Sequence, residues 1–570
     1  MVSPDALPPT PLLLLLLLLS LAACGGDTTP TSPLLLAKGG VPAGWTHTEE
    51  VVLDLVEAPP GWLCIREPID PDAWQPAIWP GVRSATVRVP GESRDRVGGG
   101  PHELLGPNGA LPLVPINRQL LSMDGIEDDS FLVVGDQLML LDRDGSLASE
   151  KLEYRGWIGR GGADDGRVSL HGATGDGFVL PPGERLDLDL PKVGEQPGAT
   201  LLFSTVCHAS PTVSPTTTLQ LKLDGELVWS EAITNELFGA PAPWRVELPA
   251  YDGGLLSLRV VDGHAPIAVL APVLTATEVL PAPARPDIVI FLADTFRADN
   301  LAAYGGDPRL TPVMNSFAEE ALVFESAHAA ASWTLPSQAT MLSGLHPHQH
   351  VTMNQDRTLA PTVPTLAEHL SAAGYRTAAV TDGLFVSQRY GLDAGFEIFL
   401  EQTGGKDFTA KTLDRLRGVL ELDDGRPLFL FVQTYRVHSP YEVSPESLTA
   451  HPELFGEDAK PEDWDFGDLV HSPEAETIEV PSTLLPDFPE LRDTMRLMYL
   501  GGVADLDHGF TDFLAMLEEF GLEDAALVLT SDHGEAFGEH DSWAHGNSAF
   551  EEQLAVPMIL RAPGVPKGTK

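Results

Sequence analysis

Polar residues that can bind a metal ion follow two apolar segments in the C-terminal half of the chain. Asp294 comes directly after residues 287–293, and Asp532 and His533 follow residues 525–530. Two carboxylates and an imidazole together can bind Ca²⁺, Mg²⁺, Mn²⁺ or Zn²⁺. Taken singly, Asp294 could be a helix N-cap and Asp532 a turn residue. Because polar residues of this kind follow more than one apolar segment, we interpret the three residues as ligands of one divalent metal ion.

A hydroxyl group that could act as a nucleophile occurs between these segments, at Thr334. Pro336 suits the first turn of a helix, which predicts a helix running to Leu345 with Thr334 just ahead of it. There the hydroxyl faces the positive end of the helix dipole and could contact the metal, and both effects favour the alkoxide. The alternative is that Thr334 only caps the helix, and the local sequence alone favours this alternative.

Histidines near these segments could transfer protons or contact an anion. His438 follows a further apolar run at residues 428–433, and His545 and His540 come after Asp532. Of these two, His545 is the preferred proton donor, although a solvated or core role fits both equally well among 17 histidines. A row of three further histidines is interpreted as structural: His346, His348 and His350.

The apolar runs predict the elements that position these side chains. Predicted strands at residues 287–293, 375–380, 428–433 and 525–530 alternate with predicted helices at residues 310–322, 365–373 and 491–520. This alternation predicts an α/β fold with a parallel sheet covered on both faces by helices. Since ligands bind at the carboxyl ends of the strands in such sheets, we expect the candidate residues to meet at one edge.

The region before this domain has a different pattern. Residues 45–280 contain short alternating apolar runs broken by Gly, Pro and Asp, which predicts an antiparallel sandwich or jelly roll, with residues 177–279 as one sandwich. Residues 281–286 read as a linker to a catalytic domain at residues 287–570. A spacer role is favoured over carbohydrate binding, because no aromatic cluster is visible in the sequence.

The N-terminus predicts export and a lipid anchor. A leucine run at residues 12–19 precedes Leu21-Ala22-Ala23-Cys24, which is similar to a bacterial lipobox, so residues 1–24 read as a lipoprotein signal peptide and residues 25–44 as a tether. We therefore expect a periplasmic or cell-surface protein that is held on the membrane by lipid on Cys24. A disulfide between Cys64 and Cys207 and two buried free thiols are both compatible with the sequence.

The charge of the chain excludes some partners. Its 35 basic and 82 acidic residues give a formal charge of -47, which argues against binding nucleic acid. An anionic substrate would need a local positive centre, and a bound metal ion would supply one.

Several motifs occur in order between residues 285 and 566. They are residues 286–299, Thr311-Pro312, Thr334-Leu335-Pro336-Ser337, residues 342–348, His438-Ser439-Pro440-Tyr441, residues 530–535, Gly538-Glu539-His540 and His545-Gly546. In this order they resemble the catalytic domain of the sulfatase family, within the alkaline phosphatase superfamily. The resemblance implies metal binding by Asp294, Thr334, Asp532 and His533. It also implies that His438 and His545 contact the transferred oxyanion and the leaving group.

Departures from the family pattern limit what the resemblance implies. Thr334 stands where a typical sulfatase has the cysteine that becomes formylglycine, so no formylglycine can form here. Gln338 replaces an arginine, Thr295 replaces a second aspartate, and a lysine and a histidine of the family have no equivalent near residues 381–385. A threonine nucleophile resembles the phosphatase, phosphodiesterase and phosphoglycerol-transferase branches.

These observations lead to one preferred hypothesis and two alternatives. The preferred function is a hydrolase of sulfate or phosphate esters that uses Thr334 as nucleophile on one divalent metal ion. The alternatives are a transferase of phospho-alcohol head groups and a catalytically inactive binding protein. Family members continue after the equivalent of Pro566 with a small subdomain, which we expect to be absent from residues 287–570 or truncated.

Overall fold

The computed structural model describes most of the C-terminal half of the chain and the β-rich part before it. The described residues are 285–402, 412–439, 441, 443–455 and 489–569, preceded by 167–170, 173–180, 183–190, 198–207, 216–234, 241–262 and 266–276, with short segments between residues 34 and 159. Cys24 and the side chain of Cys64 lie outside the described residues, so the lipid anchor and the disulfide stay predictions.

The described strands are numbered here in chain order. They are β1 (Leu34–Leu35), β2 (Trp45–Glu49), β3 (Trp62–Ile69), β4 (Gln75–Pro76), β5 (Val82–Thr86), β6 (His102–Gly106), β7 (Gly109–Ala110), β8 (Ser130–Val134), β9 (Gln137–Leu141), β10 (Leu152–Gly159), β11 (Arg167–Leu170), β12 (Ala173–Leu180), β13 (Glu184–Leu190), β14 (Ala199–Cys207), β15 (Thr216–Leu223), β16 (Glu226–Thr234), β17 (Ala242–Leu248), β18 (Gly254–Asp262), β19 (Ile267–Ala276), β20 (Ile288–Ala293), β21 (Leu322–Val323), β22 (Arg376–Thr381), β23 (Ile398–Glu401), β24 (Leu428–Thr434), β25 (Ala526–Thr530), β26 (Ala536–Phe537), β27 (Trp543–Ala544) and β28 (Met558–Arg561).

The described helices lie between and after the strands of the C-terminal half. They are α1 (Pro312–Glu319), α2 (Thr334–Ser343), α3 (Pro347–His350), α4 (Leu366–Ala372), α5 (Leu413–Leu420), α6 (Pro445–Ala450), α7 (Pro452–Phe455), α8 (Pro489–Glu519) and α9 (Glu551–Leu554). Within the described part of the chain, no helix combines the length and the apolar character that crossing a membrane requires.

A parallel sheet forms the centre of the C-terminal half, in the strand order β23-β22-β24-β20-β25. Strand β20 alternates its side chains between two cores, since Phe291 packs on one face with α8 and Ile290 packs on the other face with α2 and α4. Helices therefore cover both faces, as the sequence predicts. Beyond β25 the sheet continues with the antiparallel strands β28 and β21.

The first predicted helix, at residues 310–322, is too long in the prediction. The structure ends α1 at Glu319 and places Leu322 in β21, where its Cα pairs with that of Leu560. Leu322 is thus part of a short edge strand, although the helical periodicity of the sequence includes it. The helix predicted at 365–373 is α4, and Thr365 caps it by accepting a hydrogen bond from the Glu368 backbone N–H at 3.1 Å.

The predicted sandwich is present. Strands β17-β14-β19-β12 form part of one sheet and β16-β15-β18-β13-β2 form the other, all antiparallel. Their inward side chains, such as Phe203 and Leu258, share one apolar core. Two smaller antiparallel sheets, β3-β10-β6-β7 and β4-β5-β9-β8, lie earlier in the chain. Strand β1 falls inside the predicted tether and pairs with β19, so those two residues belong to a sheet.

One sheet of the sandwich is continuous with the parallel sheet of the C-terminal half. Strand β12 pairs antiparallel with β23 through Ala173, Thr174 and Gly175, which gives a single sheet of 13 described strands. All of β14 is buried, because its alternate residues face the sandwich core and the core of the C-terminal half. The β-rich region is therefore joined to the C-terminal half by hydrogen bonds and a shared core.

Candidate active site

Three of the four predicted metal ligands, Asp294, Asp532 and His533, meet at the carboxyl ends of two neighbouring strands. Asp294 follows β20, and Asp532 and His533 follow β25 after one intervening residue. All three side chains have no exposed area. His533 Nε2 lies 3.6 Å from Asp294 Oδ1 and 3.8 Å from Asp532 Oδ2. One ligand atom from each residue lies within 4.8 Å of the other two, which is compatible with a shared cation.

Hydrogen bonding orients the His533 ring for metal binding. Its Nδ1 lies 2.9 Å from the Gly534 carbonyl oxygen, which can only accept, so Nδ1 carries the proton and the Nε2 lone pair faces the two aspartates. Burial lowers the pKa of His533, which favours the neutral imidazole. Neutral imidazole is the form that binds a metal ion.

The surroundings of the Asp294 carboxylate show whether a cation fits between the three side chains. Both of its carboxylate oxygens are buried, and neither accepts a hydrogen bond within the described part of the chain. Burial, followed by the charge of Asp532, raises the pKa of Asp294 well above its usual value. An unsatisfied buried carboxylate beside a second one is costly unless a positive charge compensates. The donor set of two carboxylates and one imidazole therefore fits a divalent metal ion.

A surrounding set of hydrogen bonds fixes Asp532. The Gln338 amide nitrogen donates to Asp532 Oδ2 at 3.0 Å, and the His533 backbone N–H donates to Oδ1 at 3.0 Å. The Ser337 hydroxyl donates to the Asp532 carbonyl oxygen at 2.6 Å. The Gln338 side chain is a neutral amide, so it orients the carboxylate without neutralising it. The sequence alone did not indicate this contact.

Thr334 is the first residue of α2 and does not cap it. The N-cap is Trp333, and the helix ends at Ser343 because Gly344 adopts a left-handed conformation with φ 70°, two residues before the predicted end at Leu345. The Thr334 side chain is buried, and its Oγ1 lies 3.4 Å from His533 Nε2. The hydroxyl thus faces the candidate ligands, and the capping alternative is wrong.

Two histidines lie beside these residues as predicted. The His545 ring centroid lies 4.7 Å from that of His533 and 4.9 Å from that of His438. His545 Nδ1 lies 3.0 Å from Oε1 of Glu535, which is fully buried. Because a carboxylate accepts, this contact places a proton on Nδ1 of His545. The sequence contained Glu535 in the motif after Asp532, but spacing alone did not reveal its contact with His545.

The other candidate histidines have different surroundings. The His540 ring is more than half exposed, pairs with Glu552 Oε1 at 3.0 Å and stacks on Phe550. His350 is buried and bonds Thr340 Oγ1 through Nε2 at 3.1 Å, which is compatible with the predicted structural role. The remaining two, His346 and His348, are exposed and stack on each other.

Arg297 braces the loop that carries Asp532, His533 and Glu535. Its guanidinium donates to the Glu535 carbonyl oxygen at 2.9 Å and to Glu539 Oε1 at 2.8 Å, and it pairs with Asp299 at 2.6 Å. Asp299 and Glu539 therefore neutralise the charge of Arg297. Arg297 supports this loop through its hydrogen bond to the Glu535 carbonyl oxygen.

Comparisons with known proteins match the region of the chain that contains the candidate site. The model of the family described as Sulfatase matches residues 286–570. An arylsulfatase of Clostridium perfringens is 23% identical over 344 residues, which cover 49% of this chain and 69% of the relative. The low-salt glycan biosynthesis sulfotransferase Agl7 of Haloferax volcanii is 27% identical over 250 residues, which cover 42% of this chain and 48% of the relative. The phosphonate monoester hydrolase of Agrobacterium radiobacter has a solved structure with 20% identity and a TM-score of 0.40, over 50% of this chain and 70% of that one.

Proposed function

The chain belongs to the sulfatase family, and from this premise we propose that it is a metal-dependent hydrolase of sulfate or phosphate esters with Thr334 as its nucleophile. One observation carries the proposal. The Thr334 hydroxyl lies 3.4 Å from Nε2 of His533, which forms a candidate metal-binding group with Asp294 and Asp532. A buried hydroxyl beside two carboxylates and an imidazole that can hold a divalent cation is the arrangement expected of a nucleophile that works with that cation.

The residues divide the reaction between them. Asp294, Asp532 and His533 would hold the metal ion, which when bound supplies positive charge for the anionic ester and favours the Thr334 alkoxide. Thr334 Oγ1 forms a bond to phosphorus or sulfur, and the bond from that atom to the leaving alcohol oxygen breaks. His545 gives a proton to that oxygen, and His438 contacts the nonbridging oxygens. Water then releases the Thr334 ester, with His545 taking back a proton.

Substitution of the nucleophile tests the proposal. Aryl phosphate, phosphodiester and aryl sulfate substrates would be assayed with Ca²⁺, Mg²⁺, Mn²⁺ and Zn²⁺ on the full chain. Thr334→Ala should abolish turnover, whereas Thr334→Ser should retain part of it and carry a trapped phosphate or sulfate that mass spectrometry assigns to residue 334. Equal turnover by the wild type and Thr334→Ala would show that Thr334 is not the nucleophile.

The same assays decide which acid is transferred, and metal analysis decides how many metal ions take part. The substrate that is turned over identifies a sulfate or a phosphate ester. We propose a single metal ion, because the described residues bring together one group of metal-binding side chains, formed by Asp294, Asp532 and His533. Metal analysis of the purified protein should therefore give one equivalent, and two equivalents would contradict the single-metal proposal.

A transferase is the second candidate, because a threonine ester can be released by an alcohol as well as by water. The similarity to a protein named as a sulfotransferase supports testing this outcome. Added glycerol or sugar should divert the transferred group into a new ester only if transfer operates. Binding of a substrate ester without turnover of any compound would instead favour the inactive binding protein.

We also propose that the protein is exported and anchored in the membrane by lipid on Cys24. The leucine run at residues 12–19 and the small residues before Cys24 support this proposal. Labelled fatty acid should be incorporated into the wild type and not into Cys24→Ser, which should also leave the membrane fraction.

A further inference from the structure

The turn after β22 lies against the loop that carries His438. Asp382 Oδ2 accepts hydrogen bonds from Thr434 Oγ1 at 2.8 Å and from the Tyr435 backbone N–H at 2.7 Å. The Tyr435 hydroxyl donates to the Gly383 carbonyl oxygen at 3.4 Å, and the Tyr435 ring lies 5.2 Å from the His438 ring. The turn is therefore fixed next to one wall of the candidate active site.

Aromatic contacts attach the same turn to the nucleophile. The Phe385 ring packs edge to face on Trp333 with centroids 5.6 Å apart, and Trp333 directly precedes Thr334. Trp333 also borders the segment after His545, because a Cβ added at Gly546 would lie 3.3 Å from its Cβ. An apolar surface thus lies beside both the nucleophile and the candidate proton donor.

Leu384 lies at the tip of this turn in an unfavourable conformation. Its φ is 53°, which a leucine rarely adopts, and 71% of the residue is exposed. Two hydrogen bonds hold the turn, from the Val386 backbone N–H to Gly383 O at 2.9 Å and from Thr381 Oγ1 to Val386 O at 2.9 Å. A single exposed leucine is ordinary on a protein surface. Leu384 directly precedes Phe385, which packs on Trp333 next to Thr334, so an exposed leucine in this strained turn is a candidate for substrate contact.

We propose that Leu384, Phe385 and Trp333 form an apolar subsite for the alcohol part of the ester. The substrates are then sulfate or phosphate esters of alkyl alcohols or of alcohols that carry an aromatic ring. This inference rests on the proposed function. The alcohol portion gains affinity by covering apolar side chains that water otherwise contacts, whereas the anionic portion contacts His438 and the metal site.

Chain-length selectivity tests the subsite with the full-length, metal-loaded protein. The acid that is accepted, sulfate or phosphate, would be supplied as its octyl, phenylethyl and glycerol esters, all of which have an aliphatic leaving alcohol. The octyl or the phenylethyl ester should exceed the glycerol ester in kcat/KM by about tenfold or more, since burial of a few apolar carbons has an effect of this size. A larger ratio for octyl assigns an alkyl alcohol, and a larger ratio for phenylethyl assigns an alcohol that carries an aromatic ring.

Substitutions at Leu384 separate substrate contact from folding. Leu384→Asn should bring the ratio of kcat/KM for the apolar ester to kcat/KM for the glycerol ester within about threefold of one. Asparagine tolerates the left-handed conformation but is polar. Leu384→Met should keep the ratio, because it keeps an apolar side chain. Leu227→Asn, at a leucine that is 55% exposed on β16, should leave the ratio unchanged.

The outcomes distinguish this inference from the proposed function. Turnover of the glycerol ester with no preference for either apolar ester would overturn the subsite and leave the hydrolase proposal intact. A preference that survives in Leu384→Asn would also overturn the subsite. Absence of turnover for all three esters would overturn both proposals.

Discussion

Glu535, in the buried motif after β25, contacts His545, the proposed proton donor. Its Oε1 lies 3.0 Å from His545 Nδ1. We expect Glu535→Gln to lower kcat by about 100-fold for alkyl esters, because the charge that orients His545 and stabilises its protonated ring is lost. The loss should be smaller for nitrophenyl esters, whose leaving group needs no proton. Steady-state kinetics on both ester types measures this difference.

Glu552 offers a matched control for Glu535, because it forms the same type of contact with His540 at 3.0 Å. Glu552→Gln should change kcat little for either ester. Equal losses for alkyl and nitrophenyl esters in Glu535→Gln would contradict a role through proton transfer.

Gln338 should affect metal affinity through Asp532. Gln338→Leu removes the 3.0 Å hydrogen bond to Asp532 Oδ2 and leaves that ligand less well oriented. We expect the dissociation constant for the bound cation to rise about tenfold, as for other residues that support metal ligands. Calorimetric titration of the purified protein with each divalent cation measures it. Gln220→Leu, on the half-exposed face of β15, is the control and should bind as the wild type does.

The sequence predicted these residues to different extents. Asp294, Asp532 and His533 were predictable because each follows an apolar strand, and parallel strands bring such ends together. The Glu535–His545 contact and the support of Asp532 by Gln338 depend on side-chain directions in a folded loop, which spacing does not encode. Thr334 was ambiguous because cap preferences are local, whereas the helix here begins one residue earlier, with Trp333 as its N-cap.

At the level of elements, α8 holds the loop that carries His438. Asp505 on α8 accepts hydrogen bonds from Arg436, from the Ser444 backbone N–H at 2.9 Å and from Ser447 Oγ at 2.6 Å. These contacts lie on both sides of His438 in the chain. We therefore expect Asp505 to act as a positioning residue for His438.

Removal of this carboxylate charge should affect both stability and catalysis. We expect Asp505→Asn to lower the free energy of unfolding by about 3 kcal/mol, because Arg436 is left largely buried without its counter-ion. The value of kcat should also fall, since His438 loses its fixed position. Urea denaturation and steady-state kinetics measure the two effects.

The double variant Asp505→Asn/Arg436→Gln should recover part of the lost stability, since no unpaired buried charge remains. Asp512→Asn, at an exposed position on the same helix, should change neither quantity. Wild-type stability in Asp505→Asn would contradict the proposed positioning role.

The sequence predicted the strands correctly where a whole strand is buried and therefore consists of apolar residues. The strands β20, β24 and β25 are buried along their whole length, so each appears in the sequence as an apolar run. The end of α1 was not predictable in this way, because Leu322 pairs with β28 instead of extending the helix. Partners that are distant in sequence set such boundaries.

At the scale of the whole molecule, the continuous sheet predicts one cooperative unfolding transition. Gly175 lies where β12 meets β23, and a Cβ there would lie 2.4 Å from the Glu397 carbonyl oxygen. We expect Gly175→Ala to destabilise the protein by about 2 kcal/mol or more, because the two strands must separate. Differential scanning calorimetry should show the single transition move as a whole.

Gly521 is a suitable comparison for Gly175. Its φ is 71°, and a Cβ there would have open space, so Gly521→Ala should cost only backbone strain of about 1 kcal/mol. Two separate transitions, of which Gly175→Ala moves only one, would contradict cooperative unfolding. The sequence did not reveal the shared sheet, because antiparallel pairing between β12 and β23 joins residues more than two hundred positions apart.

The pairing of β12 with β23 also has a consequence for solubility. An unpaired strand at the border of a sheet exposes backbone N–H and C=O groups that can pair with another molecule. In the full chain β12 occupies this position beside β23. A shortened protein that starts at Arg285 would leave β23 uncovered, together with the apolar side chains that face β14. By covering β23, the β-rich region thus prevents residues 285–570 from associating with one another through this strand.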